Sequence, residues 1–263
     1  MTNQAILKRS GLLKQCLAIR AEIGGRMNNT KSEWCTRTLN PVIGCTYGCP
    51  FCYARRMNKR FHYTPAFSKP QFFPERLKQL SEKKPQRIFM DSMSDIADWK
   101  PEWLEAVYKA MSENPQHKYL FLTKRIKKYA STDYLLWNGR KTPKGLDENV
   151  MFYIGNSVIK QSAVPRGLME SGDFWSMEPL LEPIMCGFSD TRAIKPKWVI
   201  IGAETGNRKE KVIPKREWVD SIVKECDAAH IPVFMKNSLL PIMSEENMRR
   251  EFPDELRLGW EDI

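Results

Sequence analysis

The run Asn40-Pro-Val-Ile-Gly-Cys-Thr-Tyr-Gly-Cys-Pro-Phe-Cys-Tyr-Ala-Arg55 decides how the rest of the chain is read. It spaces Cys45, Cys49 and Cys52 as C-x3-C-x2-C. Thiolates this close in sequence can converge on a soft metal centre, because cysteine sulfur selects zinc or iron–sulfur clusters over hard cations. Three ligands fall one short of the four that a closed zinc site or a saturated cluster takes. A cube held at three corners leaves one iron open to a small molecule. The competing account is a structural zinc knuckle that borrows a fourth ligand from His62 or Cys35. Zinc motifs usually combine two close pairs, and the chain holds no second close pair. Seven cysteines are an odd number, and no secretory leader precedes them, which argues against a disulfide framework.

On both sides of this run the chain alternates short apolar stretches with helical ones. A first strand is expected over Glu33 to Leu39, and helices over Tyr53 to Phe61 and Pro74 to Glu82. Strands follow at Arg87 to Asp91 and Lys118 to Leu122, separated by a helix from Pro101 to Glu113 with Trp103, Val107 and Met111 on one face. Further strands are expected at Val150 to Ile154, Phe174 to Met177, Trp198 to Ile201 and Pro232 to Met235, with a helix over Arg216 to Ala229 before the last. Residues 129 to 149 are polar and irregular and read as a loop. Apolar strands alternating with helices imply an α/β fold with parallel pairing and both sheet faces covered. About seven strands fall one short of a closed eight-stranded barrel.

Three parts are expected: a basic extension over 1–32, a catalytic unit over 33–236, and a tail over 237–263 with little pattern beyond a short helix around Glu245 to Arg250. In the extension, Ile6, Leu7, Leu12, Leu13, Leu17 and Ile19 recur at roughly helical spacing among basic residues. No apolar run approaches the ~20 residues of a membrane span, so no membrane partner is expected. Cysteine usage points to the reducing cytoplasm. With 42 Lys and Arg against 31 Asp and Glu, the net charge is +11, which suggests a polyanionic partner, most simply DNA or RNA. Trp99, Trp103 and Trp137 lie in or beside loops, where they can stack on bases or serve the core.

The cysteine run, with Phe51 in the aromatic slot before Cys52, resembles the signature of the radical S-adenosylmethionine (SAM) superfamily. The longer pattern N-P-x-x-G-C-x-x-G-C-x-x-C-Y-A-R resembles the branch that holds spore photoproduct lyase and DNA-repair-photolyase-like proteins. A phage-borne branch is more similar still. Its pattern extends through Glu33-Trp34, Ser92-Met-Ser-Asp95, Phe121-Leu-Thr-Lys124, Glu178-Pro-Leu-Leu181 and Gly202-Ala-Glu-Thr-Gly206.

This resemblance implies a partial, open parallel β/α barrel of the radical SAM type, with six to seven strands. It implies a [4Fe–4S] cluster on Cys45, Cys49 and Cys52, with SAM on the open iron and Phe51 packed near its adenine. One electron, from an external donor such as flavodoxin or ferredoxin, then splits SAM to methionine and a 5′-deoxyadenosyl radical.

Ligands of parallel α/β sheets gather at the carboxyl ends of the strands. That rule nominates Ser92, Ser94, Asp95, Thr123, Asn156 and Ser157 as SAM contacts. The superfamily often has two glycines and a glutamate where this chain has Ser92 to Asp95, and Asp95 is the substitute carboxylate. Lys124, Glu178, Glu204 and Lys236 also follow strands, where they either grip the substrate or form a structural ion-pair network.

The function expected is modification or repair of a nucleic-acid base by radical SAM chemistry. The alternatives are the same chemistry on a peptide or small metabolite, and a non-catalytic, metal-stabilised nucleic-acid-binding module.

Overall fold

Short runs of branched and aromatic residues pair side by side in a computed structural model that describes residues 28–30, 32–130, 145–166 and 171–260. The strands are β1 (Asn28–Asn29), β2 (Arg37–Thr38), β3 (Val42–Ile43), β4 (Gln71–Phe72) and β5 (Arg87–Phe89). They continue with β6 (Lys118–Thr123), β7 (Met151–Ser157), β8 (Phe174–Met177), β9 (Trp198–Ile201) and β10 (Val233–Met235). One sheet runs in the order β1-β2-β5-β6-β7-β8-β9-β10. From β2 to β10 its seven strands are all parallel, and β1 lies antiparallel on the outer edge of β2. The sheet curls into a half-barrel. A separate antiparallel pair, β3 with β4, carries the chain into and out of the cysteine run.

The helices are α1 (Tyr53–Phe61), α2 (Pro101–Ser112), α3 (Ile126–Ala130), α4 (Arg216–Ala228) and α5 (Leu240–Met243). Leu104, Val107, Tyr108 and Met111 of α2 bury against Ile88, Tyr119 and Phe121 on the outer face of the sheet. Val219, Ile222 and Cys226 of α4 do the same against Val199, Ile201 and Val233. Successive strand residues point to opposite faces, so the intervening positions build the inner face. There Trp34, Phe89, Tyr153, Phe174, Trp198 and Phe234 form one aromatic layer. Gly155 lets this layer close, because a Cβ on it would stand 2.4 Å from the Phe174 ring.

Several expectations are adjusted by packing. The first strand shrinks to Arg37–Thr38, since Glu33 and Trp34 lie in a turn closed by Cys35 N–H on the Ser32 carbonyl. Pro74–Ser81 is a 3₁₀ helix rather than an α-helix. Its Arg76 is drawn inward, donating to the Asn40 carbonyl at 2.7 Å and lying 4.5 Å from the centre of the Phe73 ring. Trp103 leaves the buried stripe of α2 to stack on Phe72, and Trp99 is buried with its indole N–H on Ser94. Trp99 therefore presents no face to a nucleobase.

The segment after Asn237 is packed rather than patternless. It carries α5 and short 3₁₀ turns, and its Phe252 and Leu256 join the inner aromatic layer. The helix expected near Glu245 is a 3₁₀ turn, Glu245–Asn247. The amphipathic helix expected in the basic extension, Trp137 and most of the long polar loop lie outside the described residues. Among the described residues no helix is long and apolar enough to cross a membrane.

Candidate functional site

At the carboxyl ends of the strands the inner face changes from aromatic to polar, and the period of two continues past each strand. Leu122 is followed at the next inward position by Lys124, Ser176 by Glu178, Ile200 by Gly202 and Phe234 by Lys236. Ser157 and Ser176 are register partners on β7 and β8. Leu122, Lys124, Ser157, Ser176, Glu178 and Lys236 line a cavity of about 1080 Å³, as do Cys45, Cys49, Cys52 and Phe51.

The cysteine run is held by its backbone. Gly44 donates to the Met93 carbonyl at 3.0 Å and Cys45 to the Phe67 carbonyl at 2.8 Å. Gly44 has φ +120°, and a Cβ there would meet Pro70 Cα at 2.7 Å, so only glycine fits this crossing. Gly48 also sits at positive φ, +85°. Cys52 caps α1, its sulfur accepting from Arg55 N–H at 3.4 Å, and Cys45 sulfur accepts from Tyr47 N–H at the same distance. All three cysteines are half-buried free thiols. Burial pushes the Cys45 thiol up to about 12 against the pull of the Tyr47 N–H. Burial raises Cys49 as well, and the Lys124 ammonium opposes it.

Among the described residues no group of three or more His, Cys, Asp or Glu could hold a single ion. Cys35 is buried away from the cavity, its sulfur on the Ser32 carbonyl, and His62 is exposed as the left-handed C-cap of α1. Neither supplies the fourth ligand of a zinc knuckle.

Beneath the run lies a carboxylate network. Asp95 is 4% exposed. Its Oδ1 accepts from Ala97 N–H and from the Thr123 hydroxyl, at 3.0 and 2.7 Å, and its Oδ2 accepts from Lys124 N–H. Asp91 accepts from Leu122 and Ile96 N–H groups, while burial and then the nearby Asp95 charge push its carboxyl well above the usual range. Asp98 accepts from Thr46 and pairs with Arg125 at 2.7 Å. Burial works to raise the Asp98 carboxyl, and the Arg125 and Thr46 hydrogen bonds overcome it, holding it at about 2.

The nominated residues therefore divide. Phe51, Ser92, Ser94, Asp95, Ser157, Lys124, Glu178, Glu204 and Lys236 all line the cavity with the three cysteines. Thr123 and Asn156 do not. Thr123 points outward to Asp95, and Asn156 Oδ1 accepts from the Gly172 N–H. The Ser92 hydroxyl donates to Asn40 Oδ1 at 3.0 Å, and Ser94 Oγ accepts from Trp99. Ser157 differs: it is 7% exposed, and its buried hydroxyl has no hydrogen-bond partner.

The four charged strand-end residues partly pair. Glu178 bridges Lys236 at 2.5 Å across Gly202, where a Cβ would stand 3.1 Å from Glu178 Cγ. Glu204 is held instead by Arg208, in a two-pronged contact of 2.7 Å on each oxygen. Those hydrogen bonds lower its carboxyl below the ordinary value. Lys124 Nζ lies 6.0 Å from the centre of the Phe51 ring.

Sequence reasoning missed Asn40, Tyr53 and Glu33 as parts of the wall. Asn40 Oδ1 also takes Met93 N–H, and the Tyr53 hydroxyl donates to the Ser92 carbonyl at 2.6 Å. Glu33 spans the gap between the two sheet edges, accepting from Asn237 N–H and pairing with Arg250 at 2.9 Å. Asn40 and Tyr53 belong to the run quoted at the outset, and their nearness to the cysteines was the available signal.

No curated protein and no solved structure matches the chain. One family model matches residues 29–244, from β1 through α5, and so takes in the cysteine run and every strand end named above. The chain belongs to that family, described as "Protein of unknown function (DUF5131)".

Proposed function

We propose that this protein is a radical SAM enzyme whose half-barrel is of that superfamily's type and which modifies or repairs a nucleic-acid base. The observation that carries the reading is the shared cavity. Three free thiols from one eight-residue run face it together with the polar strand ends of a curled parallel sheet.

The donor set fits a cube-shaped cluster. Three thiolates from one short run suit a cube held at three of its corners. Backbone N–H groups already point at Cys45 and Cys52 sulfur, and hydrogen bonds of this kind tune such clusters. Among the described residues the cysteines that line the cavity are these three, and a cluster held by three thiolates would keep one position for SAM. When bound, the cluster supplies the electron that cleaves the SAM sulfonium.

The chain's own residues bind and orient. The Ser157 hydroxyl is free to donate to a cofactor carboxylate or ribose oxygen, and Lys124 brings a positive charge beside it. The Asp95 network fixes the cysteine run against the ends of β5 and β6. Glu178 and Lys236 present a paired carboxylate and ammonium to a substrate at the far side of the cavity, while the aromatic layer below excludes water. The net charge of +11 supports a nucleic-acid substrate, and an external one-electron donor completes the reaction.

Anaerobic reconstitution with iron and sulfide tests the reading. The wild type should take up one oxygen-labile [4Fe–4S] cluster, read by iron and sulfide content and visible absorption. Cys45→Ala, Cys49→Ala and Cys52→Ala should each lose it, and Cys226→Ala, on the buried face of α4, should keep it. A colourless wild type that retains only zinc would sink the enzyme reading.

A further inference from the structure

Beside the mouth of the cavity, α1 and the cysteine run leave an unusual surface uncovered. Among the described residues seven large hydrophobic side chains are exposed, and four of them fall within this short stretch. They are Tyr47, Tyr53, Met57 and Phe61, at 49%, 49%, 37% and 39% exposure. Between them stand Arg55, Arg56, Lys59 and Arg60, and α1 contains no acidic residue. Tyr47, Tyr53, Arg56 and Met57 also belong to the cavity wall, so the patch runs directly into the site.

We infer that this face is the docking surface for single-stranded nucleic acid, laid along α1 so that one base enters the cavity. The inference rests on the proposed function and names the form of its substrate. Interleaved cations and exposed aromatic groups are what a single strand requires: phosphates meet the Arg and Lys side chains, and unpaired bases stack on the rings. A duplex keeps its bases stacked on one another and offers these rings nothing. An acidic protein would be met by the cations but would leave the rings without a specific partner. Scale agrees as well. The cavity, about 1080 Å³, stands at the upper end of the roughly 300–1,000 Å³ of ligand pockets, large enough to admit a nucleotide.

The test measures binding of the full-length protein to a labelled oligothymidylate, the matching RNA and a duplex, across a salt series. Two charge-reversal variants are compared. Lys59→Glu/Arg60→Glu alters the α1 face; Lys83→Glu/Lys84→Glu makes the same change in net charge just ahead of β5, at the opposite end of the strands.

The α1 variant should bind the single strand at least about tenfold more weakly, with a salt slope smaller by about 1.4 for two lost phosphate contacts. Phe61→Ala should weaken binding about fivefold or more at every salt concentration, as loss of one stacking partner does. The Lys83/Lys84 control should change affinity far less. Equal losses in the two charge variants would reduce the effect to net charge and overturn the inference. So would duplex binding as tight as single-strand binding, or an acidic redox protein held on this face that the oligonucleotide does not displace. Because binding is read without turnover, absence of a cluster would sink only the radical SAM reading. A loaded cluster with strand binding indifferent to α1 would sink only the docking surface.

Discussion

At the scale of single residues, Asp95 and Ser157 look alike in sequence, short polar groups at strand ends, yet their surroundings oppose each other. Asp95 is saturated by Ala97, Thr123 and Lys124 donors, whereas the Ser157 hydroxyl is buried and unpartnered beside the same cavity. Removing a buried charged acceptor strands its donors, at about 3 kcal/mol in total. Asp95→Ala is therefore expected to lower unfolding free energy by about that amount in urea titrations, with cluster loading impaired as the cysteine run loosens. Ser157→Ala removes an unmet polar group, so its stability should stay level or rise. Its affinity for SAM should fall about fivefold, the worth of one hydrogen bond. Unchanged SAM affinity in Ser157→Ala, measured by calorimetry on the cluster-loaded protein, would show that the hydroxyl does not face the cofactor.

At the scale of elements, His117 pins three together. It is fully buried just before β6, with Nδ1 accepting from Gln86 N–H beside β5 at 3.1 Å. Its Nε2 then carries the proton and lies 2.9 Å from the Leu80 carbonyl of the 3₁₀ helix Pro74–Ser81. Burial lowers its pKa below the ordinary 6.5, although the Leu80 carbonyl acts the other way. The folded state therefore favours neutral imidazole. That contribution is fully present above pH 6.5 and is lost as pH falls toward the folded value, by up to about 1.4 kcal/mol per pH unit. Denaturant midpoints should drop more steeply between pH 7 and pH 5 in the wild type than in His117→Gln, which cannot titrate. Parallel pH profiles for the two proteins would refute this assignment. The chain announced the strands and helices on either side of His117 by their apolar periods. It did not announce the histidine, because one buried imidazole has no sequence period.

At the scale of the whole molecule, the segment after α5 seals the half-barrel. Trp198 donates its indole N–H to the Glu251 carbonyl, Phe252 packs 5.1 Å from Phe234, and Arg87 donates to the Leu256 carbonyl. Leu256 itself is fully buried in the inner layer. This segment lies beyond residue 244, where the family match ends. Leu256→Ala should cost about 2–5 kcal/mol, the usual range for a buried leucine. A chain ending at Met248 should lose cooperative unfolding, since water then reaches the underside of Trp198 and Phe234. A thermal melt of the truncated chain that matched the full-length one would overturn the sealing role.

The sequence by itself determined the alternation of strand and helix, the parallel α/β class and the clustering of three thiols. Each of these follows from local periodicity or from spacing along the backbone. Only the tertiary structure decided which strand-end residues share the cavity. Side chains alternate between sheet faces, so Thr123 and Lys124 are neighbours in sequence that point to opposite sides, one into the Asp95 network and one toward the cysteines. It also decided that Glu204 pairs with Arg208, and that a segment with no apolar rhythm of its own fills the base of the sheet. Those outcomes depend on groups far apart in the chain meeting in a shared space, and such meetings leave no repeat in the sequence.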